Sequence, residues 1–459
     1  MSLLYSACIS LTRSITSLLE KSFLFTSIFR ILEFIENQWV NSFFKKLYPG
    51  ENFLSLKDKS RILDNGIFSP LIVLITFSLF LILATNPVSL DLQLTVLIGF
   101  ISFFIGAIFL PRFFLNKNKV KKSSIDAEDY NKKNNDLKEI SSNYLKLFKS
   151  RDIYSIGFCL SLIGIIFLFL SIASVGGIPL FKSSLRYSLK PILTMPVFLI
   201  IPGIGLIASH YLNQFQNNEI TRSQVRFRFL VLTAIGIITV VLLEYRTPII
   251  VILLMMLISG YYGKILSVWE VIIAALLGVG AIVGIGYMRS LNELAISSHT
   301  NPFSTLQNRA DFTLNVLNLL NQISGNFGLL HGKMLASSMP GSDLGPRMLV
   351  GKLIAWRTEV TVTPTLLGQM IVDFGKVGVA VEMGILGFIL GIGYKLIRIT
   401  KDSFYIVLYS ILLSYSIVGV ETGILDIQVL FYFFMGIMVY LTVILKDKGI
   451  KIYWNPSKH

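Results

Sequence analysis

The most regular feature of the chain is a series of long, charge-poor apolar segments separated by polar connections. Lipid cannot hydrogen-bond to a backbone, so chains cross bilayers as helices of ~20 residues or as closed barrels. The segments are continuously apolar rather than alternating, which indicates helices. The pattern predicts an all-α, polytopic integral membrane protein with about ten transmembrane helices, at residues 66–86, 92–111, 153–175, 191–212, 228–243, 247–262, 268–288, 376–394, 403–420 and 427–445.

The polar connections divide the rest of the chain. Residues 1–65 mix apolar and charged residues and are predicted to form an amphipathic, interfacial N-terminus. Within the membrane domain, 66–445, the loop 112–151 is predicted to be flexible, because its residues 116–150 are polar and rich in Lys and Asn. The connection 289–362 is predicted to be a large folded loop that contains a short amphipathic helix on the membrane surface. The segment TPTLLGQMIVDFG, 363–375, is expected to be an interfacial or re-entrant helix that turns at its last glycine, and 446–459 is a tail.

Composition and charge set the orientation. The chain is 53% hydrophobic and 15% charged, with a mean hydropathy of +0.69, so a bilayer is its solvent. Successive predicted spans place their connections alternately on the two sides of the membrane. The side that carries the 289–362 loop has only 11 of the 41 Lys and Arg residues. By the positive-inside rule that side is external and both termini are cytoplasmic. We expect the membrane to be the plasma membrane. The net charge of +15 therefore reflects topology and does not indicate nucleic acid.

Metal and redox chemistry have no support in the sequence. Two cysteines, Cys8 and Cys159, cannot form a disulfide framework, and the four histidines are scattered without a metal-binding spacing. We expect no metal site and no cofactor.

Several arginines lie on the external side, where the positive-inside rule disfavours them. Planar guanidinium groups match phosphate oxygens, so an external set of arginines suits a lipid-linked phosphate or pyrophosphate. The alternative for each is contact with lipid headgroups or with a loop acid, and for Arg246, in EYRTP, that acid is Glu244. The arginines in question are Arg186, Arg246, Arg289, Arg309, Arg347 and Arg357.

Acidic residues gather on the same side and are candidates to orient or deprotonate a sugar hydroxyl. Glu421 and Asp426 occupy the short turn in VGVETGILDIQ, and Glu421 is the preferred member of the pair. Glu382 interrupts the eighth predicted span and is either a structural pairing partner or part of a pathway.

Four motifs in this order, GGIPLF…LRY, YRTP, TPTLLGQMIVDFG and ETGILD, resemble the oligosaccharide repeat-unit (O-antigen) polymerases, including the enterobacterial common antigen polymerase branch, over about residues 60–445. The resemblance implies a metal-independent, inverting glycosyltransferase that joins lipid-pyrophosphate-linked repeat units into a surface polysaccharide. Its implied partners are a polyprenyl- or dolichyl-pyrophosphate-linked oligosaccharide and the bilayer, together with a flippase and a chain-length regulator.

The same resemblance suggests roles for the residues. The catalytic candidates are Glu421, Asp373 and Glu359. Arg246 is the first pyrophosphate candidate, followed by Arg186, Arg289, Arg347 and Arg357. The related ligases use an outer-loop histidine, but His299 and His331 lack a matching motif, so the general base stays open.

Two other functions remain open at this point. One is an O-antigen ligase-type glycan transferase, which moves finished glycan to another acceptor. The other is a transporter or flippase for lipid-linked oligosaccharides, which would spread charged residues through the bilayer midplane. Glu382 is the one acid or base clearly within a predicted span, which favours an enzyme.

Overall fold

The computed structural model describes residues 66–114, 150–276, 278, 280, 302–339, 341–342, 344–355 and 361–447. The predicted N-terminal segment 1–65, most of the loop 112–151 and most of the tail 446–459 lie outside the described residues. So do three predicted site residues, Arg289, Arg357 and Glu359.

The described residues are helical throughout their regular structure and contain no strand. Within the described ranges, seven helices are long and apolar enough to cross a membrane, and two shorter apolar helices lie where the first and sixth spans are predicted. The all-α, polytopic membrane fold is therefore confirmed. In chain order the helices are α1 (Ile72–Leu83), α2 (Leu90–Arg112), α3 (Ser150–Val175), α4 (Pro191–Gln216), α5 (Arg222–Val241), α6 (Arg246–Tyr262), α7 (Pro302–Ser324), α8 (Lys333–Ala336), α9 (Pro346–Ala355), α10 (Thr365–Thr400), α11 (Ser403–Thr422) and α12 (Ile427–Asp447).

Polar caps set several helix ends beyond the apolar runs. The fifth predicted span begins at residue 228, but α5 begins at Arg222 because Thr221 and Gln224 form a reciprocal capping box, with distances of 3.4 and 2.9 Å. The length of the apolar run underestimates the length of α5, because the first turns of this helix carry arginines. The seventh predicted span, 268–288, is described only in part, and its residues 268–276 are helical.

Glycines let the membrane helices approach one another closely. A β-carbon on Gly106 of α2 would collide with the carbonyl oxygen of Gly384 on α10, and one on Gly391 would collide with that of Ala107. Between membrane helices, where lipid and protein are equally apolar, such small residues permit tight packing. The result is an extended contact between α2 and α10.

Helix α10 is broken at Gly375, whose backbone is non-helical (φ 63°, ψ −146°). Residues 365–373, the body of the first part, are almost completely buried, whereas the part after Gly375 continues as a long membrane helix. A β-carbon at Gly375 would collide with the carbonyl oxygen of Asn326, so this close approach requires glycine. We call residues 365–374 the buried half-helix. Whether it is re-entrant or interfacial stays a prediction.

The chain divides into two compact units. The larger comprises Pro70–Leu266 and Ala274–His459, and all the site residues below belong to it. The smaller comprises Met1–Ser69 and Ser267–Ile273. Within it, the backbone N–H of Ser267 donates to Glu270 over 2.7 Å at the start of a helix.

Candidate functional site

The connections at one end of the bundle form a surface that we call the loop face, on which polar groups alternate with exposed apolar residues such as Phe181 and Phe327. It consists of residues 84–89, 176–190, 242–245 and 423–426 and the described part of 302–364. Helix α7 is tied to this face by Asp311, whose carboxylate accepts hydrogen bonds from the hydroxyl of Thr85 (2.6 Å) and from the backbone N–H of Thr85 and Asn86 (2.7 and 2.9 Å). These hydrogen bonds, chiefly that from the Thr85 hydroxyl, lower the pKa of Asp311.

Further along α7, Asn321 continues the attachment. Its amide nitrogen donates to Asp91 over 2.7 Å, and the hydroxyl of Thr95 donates to its amide oxygen over 3.0 Å. Asp91 also forms an ion pair with Lys376, directly after the break in α10. These contacts fix α7 against α2 and α10.

The apolar residues of α7 divide between two environments. Leu314, Leu317 and Leu320 are buried beneath the loop face, and Leu317 and Leu320 contact the buried half-helix at Gly368. Phe312 and Ile323 are exposed. The predicted amphipathic helix is present, but its main apolar face packs on protein, and its placement on the membrane surface stays a prediction.

Two ion pairs flank the short turn between α11 and α12. Arg309 of α7 donates to Glu421, at the end of α11, over 2.8 Å. Arg347, in the first turn of α9, donates to Asp426, immediately before α12, over 2.6 Å. All four side chains keep substantial exposure, 52% and 39% for the first pair and 29% and 35% for the second. Two carboxylates and two guanidinium groups are therefore partly accessible at the two ends of this turn.

A second basic cluster lies where the 176–190 connection meets the turn between α5 and α6. The guanidinium of Arg186 stacks on the ring of Tyr245, 5.2 Å from its centroid, and Arg246 follows as the first residue of α6. The backbone N–H of Leu180 donates to the carbonyl of Leu242 over 3.3 Å, which joins the two connections. In the described part of the chain, Arg186 makes no ion pair.

Aromatic contacts link this basic cluster to the ion pairs. The rings of Tyr245 and Phe198 lie 5.3 Å apart, and the hydroxyl of Tyr432 donates to the carbonyl of Phe198 over 2.8 Å. Tyr432 belongs to α12, whose first turn follows Asp426 directly, and its ring lies 5.4 Å from that of Tyr415. Phe198, Tyr415 and Tyr432 are buried, so these contacts link the basic cluster through the interior to α12, which begins directly after Asp426.

Asp373 occupies a different position, buried at the end of the buried half-helix. Its two carboxylate oxygens accept the backbone N–H groups of Met334 and Leu335, at 2.9 and 3.0 Å, at the start of α8. Its own backbone carbonyl accepts the N–H of His331 over 2.9 Å. These contacts favour a positioning role over the predicted catalytic one, which stays a prediction. Glu382 is partly buried in α10 beyond the break, and both of its predicted roles stay open.

The structure thus places Arg186 on the ring of Tyr245, the residue that precedes Arg246. Separately, it pairs Glu421 with Arg309 and Arg347 with Asp426; the sequence ranked Arg309 and Asp426 lower. Tyr245 was not singled out, although it directly precedes Arg246 in the motif EYRTP. An aromatic residue beside an arginine at a helix start is a weak signal for a stacked guanidinium. Among the described residues, no group of three or more His, Cys, Asp or Glu side chains is placed to hold a metal ion.

Comparisons with known proteins identify the family. The chain resembles two uncharacterized proteins of Methanocaldococcus jannaschii. One is 29% identical over 297 residues, which cover 64% of this chain and 78% of the relative. The other is 25% identical over 301 residues, which cover 66% and 68%. No solved structure matches the chain.

The family match covers most of the membrane domain. The sequence profile of the family described as "Putative O-antigen polymerase" matches residues 66–433, which contain both ion pairs and the basic cluster. The chain therefore belongs to the O-antigen polymerase family, as a glycosyltransferase-type membrane enzyme of polysaccharide synthesis that acts on lipid-linked oligosaccharide.

Proposed function

We propose that the protein is a polymerase that joins lipid-pyrophosphate-linked oligosaccharide repeat units into a surface polysaccharide. The observation that carries this proposal is the loop face, which contains accessible carboxylates and arginines in two ion pairs and, in addition, a second basic cluster. A polymerase of this kind needs positive groups for a departing pyrophosphate and a carboxylate for the attacking hydroxyl. The assignment to the enterobacterial common antigen branch stays a prediction.

The proposed reaction is one displacement at the anomeric carbon of the donor. A hydroxyl oxygen of the acceptor repeat unit forms the new bond to that carbon, while the bond from the carbon to the pyrophosphate oxygen breaks. The hydroxyl proton passes to a carboxylate, and the lipid pyrophosphate leaves with the bonding electron pair. Because there is a single displacement, the anomeric configuration inverts. Electrostatic stabilisation of the leaving group is the largest catalytic contribution in reactions of this type.

We assign the roles by contacts. Arg186 and Arg246 bind the pyrophosphate. The guanidinium of Arg186 stacks on Tyr245 and makes no ion pair with any described residue, so it can turn toward a ligand without breaking an ion pair in that part of the chain. Arg347 remains a further pyrophosphate candidate, as do Arg289 and Arg357 outside the described residues. In this scheme the arginines neutralise the pyrophosphate without a divalent cation.

Glu421 is the proposed general base. Its carboxylate is accessible, and Arg309 holds one of its oxygens in place over 2.8 Å. The ion pair engages Oε1 of Glu421, and we assign Oε2 to the proton of the acceptor hydroxyl. Asp373 and Glu359 remain the other carboxylate candidates from the sequence.

The loop face is the proposed external face of the plasma membrane, with both termini in the cytoplasm. The flippase that delivers repeat units and a chain-length regulator are the proposed partners. Single cysteines at exposed positions of the two ends, such as Phe181 and Glu219, test the orientation. A membrane-impermeant thiol reagent applied to intact cells should label the first and not the second, and the reverse result would place the site inside.

The decisive experiment compares two arginines of the same geometry at opposite ends of the bundle. Arg186 stacks on Tyr245 at 5.2 Å, and Arg228 stacks on Tyr211 at 4.7 Å. In the native host, Arg186→Ala is expected to shorten the polysaccharide chains, which separate as a ladder of bands on a gel. Arg228→Ala, present at the same protein level, is expected to leave the chain lengths unchanged. Equal ladders for both variants would refute the assignment of the pyrophosphate site.

Purified protein separates the related functions. In vesicles that contain one lipid-linked oligosaccharide, a polymerase converts it to longer lipid-linked products. A ligase leaves the substrate unextended until a different acceptor is added. A flippase moves the substrate between leaflets and changes no covalent bond.

A further inference from the structure

The turn between α11 and α12 is held from below by one buried side chain. Gln369, on the buried half-helix, is only 3% exposed. Its amide oxygen accepts the backbone N–H groups of two consecutive turn residues, Ile424 over 3.1 Å and Leu425 over 3.2 Å. An amide oxygen has two lone pairs, so both hydrogen bonds form at once. This arrangement fixes the direction of the turn backbone.

The turn also lies directly on the Gln369 amide. Gly423 has a φ of 79°, and a β-carbon at this position would lie 2.8 Å from the amide atoms of Gln369. Only glycine therefore lets the chain leave α11 in this direction and touch the amide.

The carboxylates of the site stand at the two ends of this turn. Glu421 precedes Gly423 by two residues, and Asp426 follows Leu425 directly. Each carboxylate meets an arginine from another element. A shift of the turn would therefore displace both carboxylates from their arginines together.

We propose that Gln369 is a positioning residue that sets Glu421 and Asp426 for glycosyl transfer by holding the backbone N–H groups of Ile424 and Leu425. The inference rests on the proposed function, because it assigns the carboxylates a role in the reaction. Gln369 is too deeply buried to touch substrate, so it acts through the turn. The buried half-helix thus connects two parts of the loop face, since Asp373 at its other end holds the start of α8.

The test compares three variants in the purified full-length protein. Gln369→Met keeps the length of the side chain and removes the accepting oxygen. Gln369→Glu keeps an accepting oxygen in the same place. Met370→Ala is the matched control, because it removes a neighbouring buried side chain that makes no hydrogen bond to the turn.

We expect Gln369→Met to lower kcat about 100-fold, the scale of loss that a displacement of ~1 Å in a catalytic group produces. The KM for the lipid-linked substrate should change by less than about threefold, because the basic cluster is untouched. Gln369→Glu should retain kcat within about tenfold of the original enzyme. Met370→Ala should reduce the amount of folded protein but leave kcat per folded molecule unchanged.

Hydrogen exchange gives a readout independent of activity. The amides of Ile424 and Leu425 should exchange faster in Gln369→Met and keep their protection in Gln369→Glu and Met370→Ala. Unchanged exchange, or an unchanged kcat in Gln369→Met, would overturn the inference. If the original enzyme produces no longer lipid-linked product, the proposed function fails, and the catalytic part of this inference fails with it. In that case hydrogen exchange at Ile424 and Leu425 tests only whether Gln369 holds the turn.

Discussion

Replacement of Glu421 by Gln separates a structural ion pair from a catalytic base. The pair with Arg309 has an N–O distance of 2.8 Å, but its side chains are 52% and 39% exposed. Exposed ion pairs contribute only about 0.2–1 kcal/mol to stability, and glutamine keeps an oxygen that accepts from Arg309. The free energy of unfolding should therefore fall by less than about 1 kcal/mol.

The effect on turnover should be much larger. Loss of a positioned general base typically lowers a rate by about 10²–10⁴-fold. A 100-fold loss corresponds to about 2.7 kcal/mol of transition-state stabilisation, which exceeds what this exposed pair contributes to the fold. The assay is extension of a lipid-linked oligosaccharide by purified protein, with thermal unfolding measured on the same sample.

The matched control is Glu219→Gln. Glu219 is an exposed acid at the opposite end of the bundle, where it accepts a hydrogen bond from Asn217 over 3.2 Å. This variant should behave like the original enzyme in both measurements. Turnover of Glu421→Gln within tenfold of the original, at unchanged stability, would refute the assignment of Glu421 as the base.

A double-mutant cycle with Arg309→Gln tests the same assignment from the other side. If Glu421 serves only as the partner of Arg309, the two single variants and the double variant should show equal losses. If Glu421 accepts the hydroxyl proton, its replacement should cost more than that of Arg309.

Three further predictions concern the support of the site. Asp373→Asn leaves a backbone N–H of α8 (Lys333–Ala336) without its acceptor, so stability should fall by about 1–3 kcal/mol while the pH profile of turnover is unchanged; a loss of turnover at full stability would restore the predicted catalytic role. Gly375→Ala should abolish folding, as judged by protein level and size-exclusion profile, because its β-carbon meets a backbone oxygen. The hydrogen bond from Thr85 is the main cause that lowers the folded-state pKa of Asp311 below 3.8, so its stabilising contribution should be present above about pH 4 and disappear as the pH falls through the folded-state pKa. The measurement is thermal unfolding of Asp311→Asn and of the original protein between pH 3 and 7. A stability difference that grows on acidification would contradict this prediction.

The fold was accessible to sequence analysis because transmembrane helices depend on a local property, the length of an apolar run. Boundaries were less accurate where polar residues extend a helix, as the arginine-bearing first turns of α5 show. At the other extreme, α1 is only 12 residues long within the predicted span 66–86. After it, Thr85 is engaged by Asp311, more than 200 residues away. No local pattern contains that contact.

The candidate site was accessible only in part, for the same physical reason. Residue type and predicted topology placed Glu421 and Arg347 on the loop face, but the partner of each comes from a distant element. Arg309 precedes Glu421 by 112 residues. In sequence, the carboxylate of Asp373 could not be told from a catalytic group. Its actual hydrogen-bond donors are backbone N–H groups of α8, 39 residues earlier in the chain. Burial and hydrogen-bond partners depend on the tertiary structure, and it is these properties that distinguish Glu421 from Asp373.

The ion pairs also change the argument from which the arginines were first selected. An external arginine was unexpected under the positive-inside rule, but a carboxylate partner accounts for Arg309 and Arg347 without any ligand. To bind phosphate, Arg309 or Arg347 must give up its carboxylate partner, so the net binding free energy is small unless the released carboxylate finds a new partner in the substrate. Arg186 has an aromatic ring beneath it and no ion pair among the described residues, so a phosphate adds a charge interaction and removes none. Pyrophosphate affinity should therefore depend more strongly on Arg186 than on Arg347. A donor-binding measurement in which Arg347→Ala weakens affinity more than Arg186→Ala would show that the ion pairs, and not the stacked arginine, form the pyrophosphate site.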